Sequence, residues 1–157
     1  MEKDMINERE AKEIEILEFR ANGNSYGINV KDIREILAYN RKVTPILNAH
    51  PFIEGIIMPR DFVITIIDFN QCIKSDIVDE DKNEMIINTR FDDLNIAIHV
   101  DSVLGIQKYD EADITAYSKD EEHSEFVTGY LLVGEKKIEL VDYKALFRFI
   151  NPALNLT

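Results

Sequence analysis

The chain cuts its apolar stretches into many short pieces, and that punctuation limits the fold more than any other feature. Ile14 to Arg20 reads as a strand. Asn22-Gly23-Asn24 supplies residues that accept positive φ, and Ser25 to Asn29 returns as the second strand of a hairpin. Gly55 to Met58 is a short apolar strand stopped by Pro59. Phe62 to Ile67 is apolar except for Thr65 and suits a strand covered on both faces. Strand-like pieces follow at 85–91, 95–101 and 103–109, with Asp92-Asp93 as a turn. A further pair, 125–133 and 136–141, is joined by Gly134-Glu135. Many short strands with turns between them point to barrels or a sandwich.

Within 95–101, Ile96, Ile98 and Val100 share one face, and Ala97, His99 and Asp101 the other. That alternation predicts a half-exposed His99 on the polar side. Helical signals are few. Val30, Ile33, Ile36 and Leu37 recur at helical spacing over about two turns. Asp142 to Phe149 reads as a closing helix, with Asp142 as N-cap and Pro152 as stop. Residues 1–13 form a charged arm, 74–84 a charged connection, and 110–124 an acidic, breaker-rich loop whose default is a solvated face.

Charge and composition exclude several classes. Thirty acidic against 18 basic residues leave a net charge of -12, which argues against nucleic acid as a partner. The longest charge-free run, Val43 to Ile53, contains two prolines and is too short to span a bilayer. The N-terminus lacks the apolar core of a signal peptide. Cys72 is a single cysteine, so it forms no internal disulfide and is expected to be a reduced thiol. These features predict a globular, intracellular protein.

Chemical motifs are absent. Counting Asp79 as the first position of a calcium loop puts Glu84 where glycine is needed and Arg90 where a bidentate glutamate is needed. His50, His99 and His123 lie far apart and outside any metal motif. No nucleophile elbow or phosphate loop occurs. No catalytic residue, cofactor or metal ligand is therefore assigned, and such a protein acts through its surface. Arg60, in the tight connection Pro59-Arg60-Asp61, offers a planar donor fork to a partner's carboxylates or carbonyls. The competing expectation, which the sequence favours, is an internal pair with Asp61, Glu54 or Asp68.

Several segments together resemble one family: Tyr26-Gly27-Ile28-Asn29, Ile33-Arg34-Glu35-Ile36, the stretch from Asn48 through His50-Pro51-Phe52 to Arg60, and Ile66-Ile67-Asp68-Phe69. Later come Ile96 to Ile106, Val127-Thr128-Gly129-Tyr130, and Ile138 to Phe147. In this order they resemble the CheW family, the coupling proteins of bacterial chemotaxis. The resemblance implies a mainly β fold of two SH3-like five-stranded barrels packed around a hydrophobic groove, with short helices including one at the C-terminus. It implies one domain over 14–150, flanked by the arm and a tail at 151–157. The first subdomain would take about 19–83, and the second 84–145 with the opening strand 14–18. It further implies a scaffold without catalysis or cofactor, cytoplasmic and recruited to the inner membrane face. Its partners would be the regulatory domain of the histidine kinase CheA and the cytoplasmic tip of a chemoreceptor. Receptor contact would fall on Ile33, Glu35, Gly55, Arg60 and Met85. By fold analogy, Phe69, Ile73 and the residues around Gly105 would flank the kinase-facing surface. The family's Asn-Leu-Arg-Gly turn is here Met58-Pro59-Arg60-Asp61, Asn88 interrupts an apolar stretch, and Ala97 replaces a glycine. Alternatives are a scaffold of another chemosensory pathway, such as twitching motility, or a small-barrel ligand-binding protein or enzyme using the groove.

Overall fold

The computed structural model describes residues 12–40, 42–73, 82–120 and 125–151. Most of the arm, most of the 74–84 connection, His123 and the tail beyond Asn151 lie outside the described residues. The strands are β1 (Glu13–Ala21), β2 (Asn24–Asn29), β3 (Ile33–Ala38), β4 (Ile53–Ile57), β5 (Ile64–Asp68), β6 (Met85–Thr89), β7 (Ile96–Val100), β8 (Ser102–Asp110), β9 (Thr115–Ala116), β10 (Val127–Val133) and β11 (Lys136–Val141). Two α-helices are described, α1 (Phe69–Cys72) and α2 (Tyr143–Ile150), with 3-10 turns at Val30–Asp32 and Glu111–Asp113.

These strands form two sheets. One has six strands in the order β8-β1-β2-β11-β10-β9, and the other five in the order β3-β6-β7-β5-β4. Most neighbours are antiparallel; β2 with β11 and β5 with β7 are parallel. The first hairpin forms as expected, with Asn22 and Gly23 at φ 47° and 78°. The closing helix also forms, its Asp142 carboxylate accepting from the Ala145 N–H at 3.1 Å. Among the described residues, no ladder joins the two outer strands of either sheet.

The expected division near 83/84 does not follow the sheets. β1 and β2 lie in one sheet with β8 to β11, while β6 and β7 join β3, β4 and β5. Turn chemistry is local, but the parallel pairings of β2 with β11 and β5 with β7 join strands far apart in the chain, which no local signal announces. The main core lies between the sheets. Leu17, Phe19, Tyr26, Ile28 and Val141 meet Ile67, Ile87, Ile98 and Val100 there, with Leu146 and Phe147 of α2 packed in. Two smaller clusters cover the outer faces, one around Ile64, Ile66, Ile86 and Ala97, the other around Ile16, Leu131 and Ile138.

The helix expected over residues 30–37 is instead a 3-10 turn followed by β3. A two-turn helix is marginal by itself, whereas this segment gains a full ladder with β6. A register shift between Ile33 and Glu35 explains the misleading period. The bulge lets Ile33 and Ile36 face the main core while Leu37 faces the outer cluster.

Candidate functional site

The surface singled out from sequence lies on the five-stranded sheet. Arg60, in the β4–β5 connection, donates from Nη2 to both Glu35 oxygens at 3.0 Å. Its guanidinium also stands 5.1 Å from the centre of the Phe62 ring. The Arg60 side chain remains 58% exposed and that of Glu35 26%. Arg34 donates to Asp92 O at 2.6 Å and Asn95 Oδ1 at 3.4 Å. With Asn88 and Asn95, these residues line a cleft of about 350 Å³. Exposed Met58 and Val63 lie beside Arg60 in sequence. A charged fork with apolar flanks suits a protein partner.

None of the three internal partners expected for Arg60 is the one it takes. Glu54 turns to His99, and Asp68 caps α1 through the Asn70 N–H, so Glu35 on β3 supplies the carboxylate. Of the five expected receptor-contact residues, the structure brings only Glu35 and Arg60 together in the cleft. Ile33 and Met85 are half-buried against the main core. Gly55 is buried at φ 153°, and a Cβ there would stand 2.3 Å from Thr44 O. Its glycine is explained by the Thr44–Ile56 bridge that crosses it.

The kinase-side expectation divides similarly. Phe69 has no exposed surface and packs edge-on against Phe19 and Tyr26, so it supports a surface from behind and cannot contact a partner. Ile73 is half-buried against the same core. Gly105, in the outer strand β8, adjoins open space and sits between exposed Leu104 and Ile106.

Sequence reasoning missed a polar cluster around His99. His99 is only 9% exposed, not half-exposed, because β7 is central and both its faces are covered. Nδ1 lies 2.7 Å from Glu54 Oε1 and Nε2 lies 3.1 Å from Glu84 Oε1. Tyr39 stacks on the ring at 3.7 Å and donates its hydroxyl to Glu54. Burial alone would lower the His99 pKa, but the Glu54 hydrogen bond and the charges of Glu54, Asp68 and Glu84 raise it. For Glu54, burial pushes upward, and the hydrogen bonds from His99 and Tyr39 bring the net shift below the ordinary value. Asp68 is raised, chiefly by burial, with Glu54 and Asp101 adding to it. Glu54, Asp68 and His99 all stood in the sequence as polar residues in or beside apolar strands, but their convergence needs the sheet order. Cys72 is buried, its thiol pushed up to about 12 by burial and then by Asp68.

Among the described residues, no helix is long and apolar enough to cross a membrane. The match to known proteins runs along nearly the whole chain, with residues 15–150 corresponding to the family described as CheW-like domain. A chemotaxis protein CheW of Klebsiella aerogenes is 29% identical over 142 residues, covering 89% of this chain and 85% of that protein. One from Thermotoga maritima is 29% identical over 100 residues, covering 64% of this chain and 65% of its own length. The crystal structure of the scaffolding protein TtCheW from Thermoanaerobacter tengcongensis superposes with a TM-score of 0.73 at 25% identity, covering 82% of this chain and 88% of that one. Sheet architecture, closing helix and sequence agree: this chain belongs to the CheW-like domain family.

Proposed function

We propose that this protein is a chemotaxis coupling scaffold, holding a CheA-type histidine kinase and a chemoreceptor in one assembly without chemistry of its own. The observation that carries this reading is the correspondence with the CheW-like domain along residues 15–150. Two surface features support it. The Glu35–Arg60 cleft lies on the five-stranded sheet, and the exposed Leu104 and Ile106 lie on an outer strand of the six-stranded sheet. Two patches on one rigid body let a scaffold raise the effective concentration of one partner for the other.

In this reading Arg60 and Glu35 meet the receptor tip. Ile33, Gly55 and Met85 shape the strands beneath them, and Ile73 and the Gly105 strand border the kinase surface with Phe69 behind. The protein works in the cytoplasm, drawn to the inner membrane face through its receptors, and binds no nucleic acid. The changed turn Met58-Pro59-Arg60-Asp61 would set which receptors it accepts, including those of a pathway such as twitching motility.

Co-purification with the native kinase and a receptor cytoplasmic fragment tests the reading. Both should be retained in one complex. Arg60→Glu should weaken receptor retention by more than about 1 kcal/mol while the kinase stays bound and the melting midpoint stays nearly unchanged. Retention of neither partner by the unaltered protein would overturn the proposal.

A further inference from the structure

A row of polar side chains crosses one end of the five-stranded sheet. In strand order it runs from Tyr39 beyond β3, through Glu84 just before β6, His99 on β7 and Asp68 at the end of β5, to Glu54 on β4. Two backbone features assemble it. Asp68 and His99 are direct partners in the parallel β5–β7 ladder, so their side chains share a face. Glu54 is the extra residue of a bulge: Ile53 pairs with Ile67 and Gly55 with Ile66, leaving Glu54 unpaired between them. Bulges re-aim side chains, and this one turns Glu54 towards the imidazole two strands away. One ligand atom each from Glu54, Asp68 and His99 lies within 4.8 Å of the others.

We propose that Glu54, Asp68 and His99 form a binding site for a divalent cation of the zinc class, with Glu84 and Tyr39 holding the imidazole in place. An imidazole nitrogen with two carboxylate oxygens is a donor set for zinc, manganese, cobalt or nickel; calcium takes six to eight oxygens. The Nδ1 atom faces Glu54 and is the ligating nitrogen. The opposite nitrogen, Nε2, donates to Glu84, the outer contact that fixes tautomer and ring orientation in metal-bound histidines. Tyr39, stacked at an interplanar angle of 12°, prevents the ring from turning.

Charge points the same way. Three carboxylates face one imidazole, and among the described residues no lysine or arginine lies within ion-pair distance of Glu54 or Asp68. Even with His99 protonated, Glu54 and Asp68 when ionised leave surplus negative charge in a half-buried setting, which a divalent ion offsets. Without metal, a proton sits between Nδ1 and Glu54; the cation takes its place and that proton leaves to solvent. The site lies apart from the residues that line the Arg60 cleft, so it stands or falls independently of the coupling role.

Calorimetric titration of the whole 157-residue chain with Zn²⁺, alongside visible absorption with Co²⁺, tests the proposal. One ion per chain is expected, with cobalt d–d bands and a higher melting midpoint on zinc addition. His99→Gln and Asp68→Asn should each weaken binding at least tenfold, and Glu84→Gln by roughly ten- to a hundredfold. Circular dichroism of the metal-free variants checks folding; should His99→Gln fail to fold, Glu54→Gln replaces it. Binding that survives loss of His99 or Glu54 and of Asp68 places the metal elsewhere and overturns the proposal. So does the absence of zinc binding at millimolar concentration, which leaves a proton as the only occupant.

Discussion

Gly55 shows how a position of functional interest can owe its residue type to the fold. A Cβ there would meet Thr44 O at 2.3 Å and Val43 Cγ1 at 2.7 Å, and the backbone oxygen has no room to retreat because Thr44 is bridged to Ile56. Gly55→Ala should therefore lose about 2–3 kcal/mol in urea unfolding, through both the clash and the positive φ. Lost receptor binding in that variant would follow from the damaged strand. Cys72 makes a second case. With its thiol near 12, roughly one in ten thousand is ionised at pH 8. A thiol reagent should leave the native protein unmodified at that pH and label it at full rate in guanidinium. Arg60 could be recognised from sequence as a projecting arginine, but not its partner. Glu35 is 25 residues away, and two nearer carboxylates, Glu54 and Asp68, are drawn to His99 and the α1 cap.

Elements differ in how far local chemistry decides them. Helix α2 carries its own start signal, and Tyr143, Leu146 and Phe147 face the core at helical spacing. Asp142→Ala should cost about 1 kcal/mol, and Leu146→Ala about 2–5 kcal/mol, both measured by chemical denaturation. The difference reflects an exchangeable cap against a cavity in the shared core. β3 is the opposite case. Its spacing suited a helix, and only β6 alongside it, with the bulge between Ile33 and Glu35, makes it a strand. β7 likewise alternates cleanly, yet both of its faces are buried, so His99 sits inside on what looked like the wet side.

At the scale of the whole molecule, the two sheets are interleaved along the chain. β1 and β2 need β11 and β8, while β5 needs β7. Fragments 1–83 and 84–157 should each lack dispersed amide signals in NMR spectra when separate, and should recover them when mixed. The main core gives the reason: Leu17 and Phe19 from one fragment pack with Ile98, Leu146 and Phe147 from the other. Unfolding of the intact protein should accordingly be a single cooperative transition.

The sequence by itself determined the short strands, their turns, the capped closing helix, the acidic surface and the family, because these depend on residue type and near neighbours. Only the tertiary structure decided that β3 is a strand, that the sheets exchange strands across the midpoint, that Phe69 is core, that Glu35 holds Arg60, and that Glu54, Asp68 and Glu84 surround His99. Each depends on which distant strand lies alongside. Pairings over long sequence separation are settled by shared burial and the ladder, neither of which leaves a mark at the position itself.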